Sequence, residues 1–193
     1  TGDQDHEDTL PYIIMLGLAF CVGIAAGLSA ILFKYVIAFI HNLSFTGTFS
    51  IHFEETVHMT PSPWMAGIIL VPVAGALLVT LITNRFAPEA RGTGVPEVLD
   101  AIVVLAKALA ASLSIGTGGS LGREGPIIQI GAALGSFAGQ MARLNPRQTI
   151  ALIAAGAAAG IAATFNAPIG GLVFAIELLL ISVSAQTVTL VAL

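Results

Sequence analysis

A single cysteine, Cys21, in 193 residues excludes a disulfide framework and any multi-cysteine metal site. Charge is also scarce. Seven Lys and Arg with eleven Asp and Glu make up 9% of the chain, against about 25% in an ordinary soluble domain. So few ionised side chains cannot clothe a soluble globule of this size. A formal net charge of −4 excludes an electrostatic nucleic-acid binder, and a 56% hydrophobic content excludes intrinsic disorder. What the chain does have is aliphatic bulk, 21 glycines and nine prolines. The solvent for most of it is lipid.

Asp3, Asp5, Glu7 and Asp8 make residues 1–9 a solvated acidic tail. From Leu10 to Leu43 the only charged residue is Lys34, which snorkels to the interface. As a helix, Leu10 to Ile40 would be about 45 Å long, more than the roughly 30 Å hydrocarbon core, so it should tilt or overshoot. It is too long, and its start too acidic, for a secretory signal. A second apolar stretch runs from Trp64 to Ile82. The link between the two, Asn42 to Pro63, has no Lys or Arg, whereas Arg85 and Arg91 follow the second stretch. The positive-inside rule puts the first link outside and the second in the cytoplasm.

Beyond Arg91 the apolar segments are short and broken at Gly92-Thr93-Gly94-Val95-Pro96, at Gly116 to Pro126 and at Asn166-Ala167-Pro168. Irregular backbone at membrane depth must be buried in protein or line a cavity, because lipid cannot satisfy its amides. Short Gly/Pro-interrupted segments point to a transporter-type site built from broken helices. Pro96, followed by Glu97, and Pro126, preceded by Arg123, Glu124 and Gly125, have the chemistry of helix starts. The second is expected to open a helix from Ile127 to Met141. Helix starts leave amide donors unsatisfied and carry partial positive charge, so they attract anions. Glu124 would occupy such an anion site with its own carboxylate. A capping glutamate paired with Arg123 explains the same spacing.

Other patterns compete for attention. Gly118-Gly119-Ser120-Leu121-Gly122 spells G-x-S-x-G, the signature of a hydrolase nucleophile, but that motif needs a strand–turn–helix setting and a His partner. The histidines, His6, His41, His52 and His58, fall in the tail or the proposed external link. The same run lacks the ending of a phosphate-cradling loop. His52, Glu54, Glu55 and His58 do not have metal-site spacing and read as a solvated loop. The runs Gly131 to Gly139 and Gly156 to Gly160 are small-residue faces suited to close helix packing.

The motifs Gly92 to Pro96, Gly122 to Pro126 and Ala155 to Pro168, in that order, resemble the CLC chloride channel and transporter family. The resemblance extends from the first long helix to Glu177. It implies an all-α integral membrane protein, a bundle of tilted and broken helices, of which residues 10–193 are the first half of an inverted-repeat pair. It also implies one anion pathway per subunit and a homodimer in the lipid bilayer of the bacterial inner membrane. Chloride would be the transported ligand, with no cofactor, no metal, no enzymatic activity and no nucleic-acid partner. Thr93 stands where the family commonly has a Ser whose hydroxyl contacts the central anion, with Gly92, Gly94, Val95 and Pro96 supplying helix-start amides. Glu124 matches the gating glutamate; Gly122, Arg123, Gly125, Pro126 and Ile127 would shape the helix start beside the anion.

Two departures bear on mechanism. Family exchangers often carry two consecutive carboxylates after the Asn-Ala-Pro segment, whereas this chain has Glu177-Leu178. Leucine cannot relay a proton. That favours voltage- and pH-gated, channel-like conduction gated by Glu124, with chloride/proton antiport through a non-standard relay such as Glu177 as the alternative. For Glu177 a helix-end carboxylate at an interface is the bland reading, and an intramembrane serine hydrolase using Ser120 is the alternative of another class. The second departure is the direct run Ala101-Ile102-Val103-Val104, which lacks the family's short polar loop and suggests that residues of the natural chain are missing between Ile102 and Val103.

Overall fold

A computed structural model describes residues 11–51, 64–86, 101–179 and 191–192. The described residues form helices with no strand. In order they are α1 (Tyr12–Phe45), a 3-10 turn (Met65–Ile69), α2 (Leu70–Phe86), α3 (Ala101–Gly116), α4 (Glu124–Met141), α5 (Pro146–Phe165) and α6 (Pro168–Leu179). Tyr12–Phe45, Met65–Arg85 and Pro146–Phe165 are long and apolar enough to cross a membrane; Val103–Gly116 and Pro168–Glu177 are shorter apolar helices. The expected first helix ended near Ile40. In the structure it runs to Phe45, so its 34 residues reach about 51 Å. His41, assigned above to the link, therefore lies inside α1. The acidic tail, the Asn42-to-Pro63 link from His52 onward, and Arg91 to Glu97 lie outside the described residues.

The chain divides into two compact units, residues 1–30 with 127–193, and residues 31–126. In the first, α4 and α5 pack antiparallel through their backbones. A Cβ at Gly131 would meet the carbonyl oxygen of Gly156, and one at Gly156 would meet that of Gly131. Gly135 sits against the carbonyl of Leu152, and a Cβ at Gly160 would lie 2.9 Å from Ile127 Cγ2. The two small-residue faces thus do what their composition suggests: they let helix backbones approach where lipid supplies no hydrophobic drive for association. Ile127 and Leu152 are among the largest fully buried side chains. The early part of α1 joins through Met15 and Ala19, in a core with Ala151, Leu152, Ala154, Ala155 and Ala158.

Local signals explain the breaks. Asn145 caps α5 by accepting from the Gln148 amide at 2.9 Å, with Pro146 in the first turn where its missing N–H costs nothing. Asn166 ends α5 in the left-handed region, φ 54°, a conformation asparagine tolerates better than most residues. Only Ala167 then separates it from Pro168 and α6. Gly171 lets α6 fold back until a Cβ there would meet the carbonyl of Ala158.

In the second unit α2 packs on α3. Val103 and Ala106 are buried with Ile82 against them. Gly75 receives the side chain of Thr117, whose hydroxyl donates to the Leu113 carbonyl at 2.7 Å. The rest of α2 is exposed apolar surface, including Val73, Leu77, Leu78 and Leu81, as expected of a helix solvated by lipid.

The α4–α5 register gives a stability prediction. Gly156→Val should lower the unfolding free energy by about 1–3 kcal/mol, the usual cost of overpacking a tight contact. Gly17→Val is the control, since a Cβ at Gly17 meets nothing within 4 Å. Equal thermal unfolding midpoints for the two variants in detergent would contradict the backbone contact.

Candidate functional site

The segment from Gly116 to Ile127 joins α3 to α4 and carries most of the described candidates. α3 closes with Thr117 N–H donating to Leu113 at 2.9 Å and Gly118 N–H to Ile115 at 3.0 Å. Gly118 has φ +89°, a left-handed turn that glycine takes without strain. Gly119 N–H then reaches back to the Ser114 carbonyl at 2.7 Å, and there is no room for a Cβ at Gly119, which would lie 2.6 Å from Ser114 Oγ. The glycines here make a tight reversal.

α4 starts at Glu124 rather than Ile127, three residues before the expected boundary. Proline causes the difference. Pro126 sits inside the first turn, where the first four amides have no intrahelical partner, so its missing N–H breaks nothing. Glu124 is therefore the first helical residue and its charge complements the helix dipole. Its carboxylate folds back over the preceding loop: a Cβ on Gly122 would collide with Glu124 Oε2. Among the described residues it makes no ion pair or hydrogen bond, with Arg123 or any other group. Glu124 and Gly125 are exposed, and a Cβ at Gly125 would meet nothing within 4 Å. Ile127, at 1% exposure, anchors the same turn. A carboxylate thus lies over Gly122 in the loop that precedes a helix start, whose field favours an anion.

The other candidates fall elsewhere. Gly92, Thr93, Gly94, Val95 and Pro96 lie outside the described residues. Glu177 is exposed near the end of α6, and Leu178 follows it in the same helix. Ser120 is exposed on a loop between two helices, not on the strand–turn–helix elbow that a nucleophilic serine of that motif requires. An apolar cleft of about 410 Å³ lies between α1, α5 and α6, lined by residues such as Gly23, Gly27, Ala159 and Leu172. With no charged or hydroxyl side chain in its lining, it has nothing to orient an anion. Sequence reasoning missed how α1 and α2 brace the loop. Gly75 and Gly116 were the available signals, since an isolated glycine in an apolar helix often marks a close approach.

Comparison with known proteins gives a consistent set of similarities. The family model described as "Voltage gated chloride channel" matches residues 75–193. The H(+)/Cl(-) exchange transporter ClcA of Vibrio vulnificus is 37% identical over 176 residues, covering 86% of this chain and 36% of that protein. The transporter of the same name from Vibrio cholerae is 35% identical over 204 residues, covering 96% of this chain and 42% of that protein. The crystal structure of a slow cyanobacterial Cl-/H+ antiporter superposes with a TM-score of 0.68 at 25% identity, covering 95% of this chain and 44% of that one. The chain thus spans less than half the length of the relatives it matches.

The site geometry predicts water access to residue 124. In a Cys21→Ala background, Glu124→Cys should react with a water-soluble methanethiosulfonate, whereas Ile127→Cys should stay protected. Protection at both positions would contradict an exposed carboxylate at the helix mouth.

Proposed function

Because this chain belongs to the voltage-gated chloride channel family, we propose that the protein containing it exchanges chloride for protons across a membrane, with Glu124 as the gate. The observation that carries the proposal is Glu124 as the first residue of α4, its carboxylate folded back over Gly122 with no partner among the described residues. A negative group in that position competes with a transported anion for the same amides. When it is protonated or displaced, the competition ends and an anion can occupy the helix start. Channel-like conduction ranked first on sequence alone, but the relatives named as exchangers, and the antiporter with the same fold, weigh towards exchange.

In this mechanism the protein's own dipoles replace the hydration shell of chloride. Arg123, Gly125, Pro126 and Ile127 form the helix start at the outer side of the pathway, and Gly122 leaves room for the gating carboxylate. Gly92 to Pro96, with the Thr93 hydroxyl, would supply the second helix start, facing the cytoplasm. Charge distribution supports this orientation. Arg143 and Arg147 flank the turn between α4 and α5, at the opposite end of α4 from Glu124, so the positive-inside rule puts Glu124 towards the outside. Glu177 is the candidate for the internal proton path. Its neighbour Leu178 is the specific feature that keeps channel-like conduction as the second reading, since no second carboxylate follows.

The same reading makes the protein a homodimer of the bacterial inner membrane that needs no cofactor, with residues 1–9 as a tail outside the membrane domain. The same reading places a missing loop between Ile102 and Val103, where Ala101-Ile102 runs directly into Val103-Val104.

Liposomes containing the full-length protein separate the two readings. A chloride gradient should drive proton movement, and Glu124→Gln should cut that movement at least about 100-fold while chloride still passes, the low end of what a positioned proton carrier contributes. Glu177→Gln should reduce proton movement with chloride flux retained. No proton movement in the unmodified protein would select the channel, and unchanged pH-dependent flux in Glu124→Gln would remove Glu124 from the gate.

A further inference from the structure

The loop that delivers Glu124 is held from the side by α1. His41 hydrogen-bonds the backbone of Gly116, the last residue of α3. The Gly116 amide is committed within the helix, and the last carbonyls of a helix lack intrahelical partners, so the imidazole N–H donates to the Gly116 carbonyl. The His41 ring lies on that of Phe45, with centroids 4.7 Å apart and planes inclined by 30°. Phe45 in turn covers Gly118, where a Cβ would lie 3.1 Å from Phe45 Cζ. Ile40 closes on Gly116 itself, leaving only 2.6 Å between its Cγ2 and a Cβ there. Ile40, His41 and Phe45 therefore grip both glycines at which the chain leaves α3.

We propose that His41 is a positioning residue for the gate: its hydrogen bond to Gly116, with Phe45 packed over Gly118, sets where the loop presents Glu124. Besides Thr117, which seats against Gly75 of α2, the loop is tied only to itself and to α3 among the described backbone bonds. Its backbone bonds run from Thr117, Gly118 and Gly119 back into α3, and from Leu121 to Gly119 at 2.8 Å. Gly122 and Arg123 donate no backbone bond among the described residues. A shift at Gly116 is thus passed along Gly118 to Arg123 with little to absorb it before α4. The hydrogen bond is what distinguishes His41 from a packing residue, because phenylalanine would fill the same space against Phe45 without holding the carbonyl.

This inference rests on Glu124 being the gate, and the test separates the two ideas. Full-length protein is compared in liposomes as wild type, His41→Phe, His41→Gln, His41→Asn and Glu124→Gln, each first checked for monodispersity. His41→Phe should change chloride turnover about tenfold, the scale of one lost hydrogen bond acting on a barrier, and should shift the proton-to-chloride ratio. Gln places an amide near the imidazole Nε2 and Asn near Nδ1, so one of them should restore both readouts. Wild-type turnover and ratio in His41→Phe, alongside lost coupling in Glu124→Gln, would overturn the role of His41 and leave the gate standing. Reduced transport at an unchanged ratio, restored by neither amide, would mark a purely structural residue and also overturn it. Wild-type coupling in Glu124→Gln would remove the gate and this inference with it.

Discussion

Hydrocarbon offers no hydrogen-bond partner to a peptide group, and the structure is organised around that constraint. Within the helices, hydroxyls turn back onto their own backbone: Ser29 donates to Ala25, Thr83 to Val79 and Thr164 to Gly160, each within 2.7–2.8 Å. Where helices stop, the termini are closed locally. Asn145 caps α5, Asn166 ends it in a left-handed turn, Arg143 does the same for α4 at φ 51°, and Gly118 does so for α3. Each break is therefore short and chemically satisfied. The start of α4 differs in carrying an exposed carboxylate, Glu124, in its first turn.

Close packing follows from the same constraint. With no hydrophobic gain from burying one apolar helix against another in lipid, association depends on dispersion and backbone proximity. Gly131 against Gly156, and Gly135 against Leu152, bring α4 and α5 into backbone contact. Gly171 does the same for α6 on α5. These contacts fix the body of α4 from Ile127 onward against α5. In the proposed mechanism the anion is held by the field of a helix start rather than by a buried cation. A helix start acts on an anion strongly where the dielectric is low, without holding it as tightly as a buried arginine would.

The sequence of Glu177-Leu178 sits uneasily beside exchanger relatives. A proton needs a chain of titratable groups or water, and leucine supplies neither. The proposed exchange therefore leans on Glu177, which is exposed near the end of α6.

Much of this was legible in the residues. Sparse charge specified lipid as the solvent, and Gly/Pro clusters marked the breaks, because these residues act through local backbone geometry that needs no tertiary contact. Glu124 was legible as a helix-start carboxylate for the same reason. Boundaries were less so: α1 runs to Phe45, and α4 starts at Glu124, because proline within a first turn leaves the start ambiguous by up to a turn. Only the tertiary structure decided which glycines face which backbone, that the carboxylate folds over Gly122, and that His41 reaches Gly116. The glycine contacts and the His41–Gly116 bond join residues distant in the chain, and the fold of Glu124 over Gly122 depends on a side-chain rotamer; composition and spacing encode neither.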